Sequence, residues 1–428
     1  MTESARNTRR SRCLPSPPCG ARVRGSAPVP YWKGRPVRIT KIETALLDAN
    51  FEWLLVRVRT DSGLTGVSEA HWGFGVRDAI HRFAQYLEGR DPRHVERLWR
   101  EMYELVSGAA WQGSTICAMN GIEIALWDLL GKYLGQPVWQ LLGGTYRDDV
   151  RILLDLHAGE SYKLGDKTKV GWRNPEAAYE PSAYAERARN AAARGFTALK
   201  FDIDIPTIRE LDPFNHCVTP GQVDQIVEIV GAVRDAVGRD VDVAIDCHWH
   251  YNTADAIRIA KALEPFDLLW LEDPVRPENV AAMAEVTRNT ATPICTGENL
   301  YLSHGFRELL GTNACRIIEP DFPRSGGISE SRRIAHLAEM NYVPFAPHNV
   351  GGPLATIAAS HVCANVPNFL VLEFHADDIP WYSDLITGDV PAFTGGALPV
   401  TSSPGFGVDI NDDVAKEHQK YPDEPLWQ

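Results

Sequence analysis

From Val37 the chain passes through three short segments whose apolar positions alternate or cluster, ITKIETALLD, WLLVRVRT and LTGVSEA. Asp61-Ser62-Gly63 is a turn signal between the last two, so the pattern predicts an antiparallel meander. The period then becomes helical over roughly 78–88, 93–106 and 115–134. In the third of these, Ile122, Ala125, Leu126 and Leu129 recur at helical spacing, and Gly135 with Pro137 marks the end. Residues 37–147 therefore read as an α+β unit.

Beyond Leu141-Leu142-Gly143-Gly144 the pattern changes to short apolar runs alternating with helical segments at 182–194, 220–237, 253–263 and 328–340. The runs are VRILLDL, ALKFDI, VDVAIDC, LLWLEDP, TPICTGE, ACRIIEPD, YVPFAPH and FLVLEF. Eight strands separated by helices predict an α/β fold, a (β/α)8-type barrel over 148–400 preceded by the α+β unit. An open doubly wound sheet would want a glycine-rich phosphate turn after its first strand, and Leu156-His157-Ala158-Gly159 is not one. Two connections, 157–181 and 204–219, exceed ordinary βα loops and are expected on the catalytic face of the barrel.

Composition narrows the choice of partner. The chain has 428 residues and a formal charge of -13, which opposes binding to nucleic acid, and no stretch is long and apolar enough for a membrane span. Residues 1–36 are different: eight Lys/Arg against one acid, and six Pro, give a basic segment unable to build a core. A disordered arm, a transit-like leader and a start codon set too far upstream all fit it, the first and last better than the second. Eight scattered Cys without a C-x-x-C pair read as buried free thiols, which implies a reducing, cytoplasmic setting.

Catalytic side chains of such barrels sit at the carboxyl ends of strands. Here the runs end in Lys200 and Asp202, Asp246 and His248, Glu272, Glu298, Asp321, His348 and Glu373. From Asp246 onward the steps are 26, 26, 23, 27 and 25 residues, about one βα unit each, which places these groups round one ring. Three carboxylates on successive strands, Asp246, Glu272 and Glu298, repel one another unless a cation lies between them, and an all-oxygen set suits Mg²⁺. Any one of these acids alone reads better as a helix N-cap; the set does not. His348 beside Asp321 forms a poised acid/base pair, with a structural ion pair as the weaker alternative. Lys200 and Asp202 share a strand face, and either faces the reacting carbon or forms a plain salt bridge. The same alternation places His248 with Asp246, and leaves His250 in the loop.

With the long motif GIEIALWDLLGKYLGQPVWQLLGG, the strand ends IDCH, WLEDP and CTGEN, then EPDFPRSGGISE, APHNVGGP and LEF, the chain resembles the enolase superfamily, mandelate racemase subgroup, over 37–400. The resemblance implies one Mg²⁺ per subunit on Asp246, Glu272 and Glu298, a His348–Asp321 dyad, and Glu373 and Lys200 facing the substrate carboxylate. Removal of a proton beside a carboxylate by a Lys or His base with Mg²⁺ is the superfamily's known chemistry. Mandelate racemase has a second lysine where this chain has Asp202, which puts a two-base racemase in doubt. Asp246-x-His248 resembles the galactonate dehydratase-like members, in which the histidine protonates the departing hydroxyl. The implied activity is Mg²⁺-dependent dehydration of an acid sugar to a 2-keto-3-deoxy acid. The alternatives are an epimerase, a cycloisomerase, and a non-catalytic acid-sugar sensor. The family also implies a homo-oligomer, an N-terminal domain that caps the barrel, and a 401–428 segment returning towards that cap. Trp72 and Phe74, near His71, are then expected over the substrate, with Trp249 and Trp381 as weaker sugar contacts; core packing is the alternative for each.

Overall fold

The computed structural model describes residues 36–106, 108, 111–157, 179–205 and 214–428. All but the last residue of the basic segment, and most of the two long connections, lie outside the described residues.

The meander is present as β1 (Ile39–Asp48), β2 (Glu52–Thr60) and β3 (Thr65–Ala70), antiparallel in that order. One face carries α1 (Val76–Leu87) and α3 (Ser114–Leu134), and α2 (Val95–Val106) packs on α3. Helix α3 lies hard against the sheet because two glycines permit it. A Cβ on Gly121 would meet that of Ala70 at 2.5 Å, and one on Gly66 would meet the Ala125 carbonyl at 2.1 Å. The helix is apolar nearly all round, as a helix buried on every side must be.

Its three buried polar residues each satisfy backbone groups elsewhere. Glu123 accepts from Ile328 N (2.8 Å), Ser329 N (3.0 Å) and Ser329 Oγ (2.6 Å), at the start of the barrel helix Gly327–Met340. Four N–H groups at a helix start lack partners within the helix, so a carboxylate there is stabilising. Asp128 accepts from Val67 N (2.9 Å) and Phe406 N (2.8 Å), and Asn120 donates to the Pro323 and Arg324 carbonyls.

The barrel strands are β4 (Asp149–Asp155), β5 (Ala198–Asp202), β6 (Asp242–Asp246), β7 (Trp270–Glu272), β8 (Ile294–Thr296), β9 (Ile317–Ile318) and β10 (Leu372–Phe374). They run parallel in the order β10-β4-β5-β6-β7-β8-β9. Phe345 closes the ring by bridging Ile318 and Phe369. The seventh stave is thus a single residue rather than the seven-residue run expected, because Pro344 and Pro347 flank it and supply no N–H to a ladder. One antiparallel strand, Ala397–Pro399, joins the start of β4.

Strand alternation sorts the barrel residues into two faces. Leu153, Ala198, Ala244, Trp270, Cys295, Ile317, Ala346 and Val371 pack together as an inner layer, while their neighbours Leu154, Leu199, Ile245, Leu271, Ile318 and Leu372 belong to the core beneath the helices. The next inward positions are the polar ones. The 401–428 segment runs back to β1, where Lys420 N donates to the Leu46 carbonyl (2.8 Å) and Gln428 N to that of Thr44 (3.1 Å). Of the described cysteines five are buried free thiols; Cys217 is the exception and is exposed. Among the described residues no helix is long and apolar enough to cross a membrane.

Candidate active site

Parallel pairing aligns Asp202 with Asp246 and Asp246 with Glu272, and aligns Asp155 with Lys200 one inward step below. The inward residues of β4 to β7 and β10 therefore end in acids around one lysine. Lys200 Nζ lies 2.7 Å from Glu272 Oε1, 2.7 Å from Glu373 Oε1, 3.2 Å from Asp246 Oδ2 and 3.8 Å from Asp155 Oδ2. Burial works against the ammonium, yet Glu272, Glu373 and Asp246 hold its pKa well above the usual value. Burial and then repulsion from Asp246 push Glu272 well up, while His248 and Lys200 overcome burial to hold Asp246 below the carboxylate range. One cation does not neutralise this centre.

The next carboxylate, Glu298, lies past the end of β8 and meets His348, whose Nε2 is 3.0 Å from Glu298 Oε2 and 3.9 Å from Glu373 Oε2. On the other edge of the ring, His348 Nδ1 is 2.9 Å from Asp321 Oδ2. Asp321 is also an N-cap: its Oδ1 accepts from Arg324 N (2.9 Å) at the start of the short helix Phe322–Ser325. The two readings offered by the sequence for such an acid thus hold together, one per oxygen. Burial favours neutral His348, but Glu298, Glu373 and the Asp321 hydrogen bond hold its pKa well above normal.

His248 reaches the site by a route different from the strand alternation expected of it. β6 ends at Asp246, whose Oδ1 accepts from His248 N (2.9 Å), and His248 and Trp249 adopt left-handed φ of 44° and 58°. The imidazole then has Nδ1 3.2 Å from Asp204 Oδ1 and Nε2 3.6 Å from Asp246 Oδ2. Asp204 escaped the sequence reading, although Asp202-x-Asp204 continues the inward alternation of β5. His250 serves the loop, its carbonyl meeting His216 Nδ1 at 2.8 Å.

The cap supplies the rim. Trp72 stacks on Phe51 at 5.1 Å and on His71 at 5.6 Å, whereas Phe74 is fully exposed. His71 Nε2 accepts from Arg324 Nη2 (2.7 Å), and Arg324 also contacts Asn299 and the Glu298 carbonyl (3.2 Å), so a cap residue is tied to the carboxylate ring. Glu69, at the end of β3, accepts from Gly352 N (2.8 Å) in the segment that carries His348. Trp249 donates its indole N–H to Asp273 (2.6 Å). Trp381 packs against Trp53 (5.0 Å) and His418 (4.0 Å).

Among the described residues, two trios have possible ligand atoms all within 4.8 Å of one another: Asp202, Asp246 and His248, and Asp155, His157 and His375. The expected trio Asp246, Glu272 and Glu298 is arranged otherwise, two of its members on Lys200 and the third on His348. The donors still suit a hard divalent ion: the set is buried and rich in carboxylate oxygen, and carries more negative charge than Lys200 offsets.

Residues 183–414 match the family model described as enolase C-terminal domain-like, and residues 30–143 match the mandelate racemase/muconate lactonizing enzyme N-terminal domain. The chain is 42% identical over 385 residues to a D-xylonate dehydratase of Haloferax volcanii, covering 90% of this chain and 89% of the relative. It is 30% identical over 411 residues to a D-galactonate dehydratase of Xanthomonas oryzae, covering 91% and 97% respectively. A solved mandelate racemase/muconate lactonizing enzyme-like protein from Rubrobacter xylanophilus superposes with a TM-score of 0.85 at 41% identity, covering 92% of this chain and all of that one. The chain belongs to the mandelate racemase/muconate lactonizing enzyme family of the enolase superfamily.

Proposed function

We propose that the protein is a Mg²⁺-dependent acid-sugar dehydratase, which takes the proton beside the carboxylate of an aldonate, expels the neighbouring hydroxyl and releases a 2-keto-3-deoxy acid. The observation that carries this reading is the pair of imidazoles on one acidic ring. His348 Nε2 lies 3.0 Å from Glu298 and His248 Nε2 lies 3.6 Å from Asp246. Dehydration needs one base at Cα and one acid at Cβ, and two separately oriented histidines supply both. The dehydratase relatives support the substrate class.

Asp246, Glu272 and Glu298 are the residues assigned to hold Mg²⁺, which when bound stabilises negative charge on the substrate carboxylate. Asp321 accepts the His348 Nδ1 proton, and the Nε2 that faces Glu298 would be free to take the proton at Cα once Glu298 turns to the metal. Lys200 is the cation that meets the carboxylate as its charge grows, and Glu373, paired with it at 2.7 Å, holds the ammonium in position. Asp204 accepts from His248 Nδ1–H, and the doubly protonated ring delivers its Nε2 proton to the departing hydroxyl, which leaves as water. Asp202 orients a sugar hydroxyl, and Trp72 with Phe51 roofs the site and excludes water. The free thiols fit a reducing cytoplasm.

The test is incubation of the purified protein with Mg²⁺ and a panel of aldonates in D₂O. The expected product is a keto acid, with His348→Asn losing exchange of the α-proton and His248→Asn keeping exchange but losing dehydration. Deuterated, epimerised acid without keto product would instead identify an epimerase.

A further inference from the structure

Beside the carboxylate ring lies a second polar cluster that the dehydration does not use. Asp155 ends β4, His157 lies two residues on, and His375 lies two residues past Glu373; all three are buried. Their ligand-type atoms fall within 4.8 Å of one another, a donor set that on distance alone suits a transition metal. The hydrogen bonds at the cluster's edge point elsewhere.

Asn50, in the β1–β2 turn of the cap, has its Oδ1 accepting from Trp53 Nε1 (2.9 Å) and from Phe51 N (2.8 Å). Two donors on one oxygen fix which way the amide faces. The group against His375 Nδ1, at 2.9 Å, is therefore Nδ2, and an amide NH₂ only donates. Nδ1 must accept, so the proton of the neutral ring sits on Nε2. A metal at Nε2 would need that nitrogen bare, with its proton moved to Nδ1 against the Asn50 N–H.

The Nε2–H end lies 3.8 Å from Asp155 Oδ2, too long for a direct hydrogen bond. One hydroxyl that accepts from His375 and donates to Asp155 bridges the pair when the two atoms part by about 0.5 Å, since two hydrogen bonds of about 2.8 Å at one oxygen span roughly 4.3 Å. The same Asp155 oxygen is 3.8 Å from Lys200 Nζ, so a hydroxyl held there lies next to the reacting centre. Phe51, tilted against His375 at 5.2 Å and stacked on Trp72, covers it from the cap. Burial, then the nearby His157 and Lys200, keep the His375 pKa well below the usual value, which preserves the neutral ring.

We propose that Asp155, His375 and Asn50 form a hydroxyl-reading subsite for the carbon chain of the acid sugar. His375 donates to one substrate hydroxyl, Asp155 accepts from it, and Asn50 of the cap is the positioning residue that sets the histidine tautomer. The ligand class rests on the dehydratase reading above; the tautomer rests only on the hydrogen bonds.

Two measurements test it separately. Two-bond ¹⁵N–¹H correlation of the His375 ring in the substrate-free protein should show the proton on Nε2. Asn50→Asp, which presents an oxygen to Nδ1 in the same volume, should move the proton to Nδ1. A wild-type ring protonated on Nδ1, or tight binding of a second Mn²⁺ per chain that is lost in His375→Leu, overturns the proposal.

In the second measurement, wild type, Asn50→Asp and His375→Leu are compared on D-xylonate, D-gluconate and D-galactonate and on their singly deoxygenated analogues. For one deoxy position the wild type should lose on the order of 10²-fold or more in kcat/KM, because a site built for a hydroxyl rejects its absence. That loss should shrink to a few-fold in both variants, with discrimination at other positions retained. Undiminished discrimination at every position in folded His375→Leu overturns the subsite while leaving the dehydratase intact. A wild type that dehydrates none of the panel overturns the assigned reaction alone. The subsite is then decided by the tautomer and by calorimetric binding of the same acids, and equal affinity for wild type and His375→Leu overturns it.

Discussion

Asp321→Asn separates the two tasks of one side chain. In the native protein Asp321 Oδ1 accepts from Arg324 N at 2.9 Å and Oδ2 meets His348 Nδ1 at 2.9 Å, so two donors have two oxygens. Asparagine has one. The backbone donor three residues away is fixed by the short helix that begins at Phe322, and Asn caps helices about as well as Asp, so the carbonyl stays there and stability changes by no more than about 1 kcal/mol. The NH₂ then faces His348, which must keep its proton on Nε2 and cannot take one from the substrate there. An Asp→Asn change that imposes the wrong tautomer on a catalytic histidine costs about 10⁴-fold in kcat where it has been dissected, and a loss of about 10³–10⁴-fold is expected here. Exchange of the α-proton in D₂O, followed by NMR beside a urea unfolding curve, gives both quantities from one preparation. If the amide turned the other way, activity would survive at a cost of about 1 kcal/mol in capping. A variant that keeps both its exchange rate within tenfold and its full stability would refute the assignment of two donors to two oxygens.

Two further substitutions probe the frame. A Cβ on Gly352 would lie 2.8 Å from Trp53 Cδ2 and Cε3 and 2.8 Å from Glu69 Oε2, all buried, so Gly352→Ala should destabilise by about 1–3 kcal/mol through overpacking. Gly221 has nothing within 4 Å of its Cβ position in a helix, so Gly221→Ala should stabilise by about 0.5–1 kcal/mol; urea midpoints shifting in the same direction for both would contradict this. His361 is wholly buried, which lowers its pKa to about 3. Since the native ring stays neutral while the unfolded one protonates near 6.5, this group's contribution is intact above that pH and is lost as pH falls towards 3. The stability gap between wild type and His361→Gln should therefore narrow by about 2–3 kcal/mol between pH 7.5 and 4.5, and a gap independent of pH would count against it.

The strand ends carry most of what the sequence reveals about the centre. Period-two alternation in ALKFDI, VAID and WLE is enough to send Lys200, Asp202, Asp246 and Glu272 inward, and the barrel's register brings them level. Side chains beyond a strand end are less legible. His248 depends on a left-handed turn closed by Asp246, and its partner Asp204 lies past the end of β5. The seventh stave shrinks to Phe345 because of prolines visible in the sequence, but the bridges that compensate involve Ile318 and Phe369. Hardest to foresee are the contacts from cap to barrel, such as Asn50 with His375, His71 with Arg324 and Glu69 with Gly352. Each joins residues more than 250 positions apart, and no local period encodes such a pairing.

Helix α3 belongs in sequence to the cap, yet its Glu123, Asn120 and Asp128 satisfy backbone groups at Ile328, Ser329, Pro323, Arg324 and Phe406. Neither half of the molecule is self-sufficient without it. A barrel expressed alone would begin one of its outer helices with bare amides, and a cap expressed alone would leave Glu123, Asn120 and Asp128 with only part of their partners, Trp127, Trp99 and Val67 among them. Proteases that nick the connection near residue 147 should therefore release no durable fragment, and melting should proceed as one event despite the bipartite layout. Exchanging caps among relatives to alter substrate choice would have to carry the matching barrel helix along with α3.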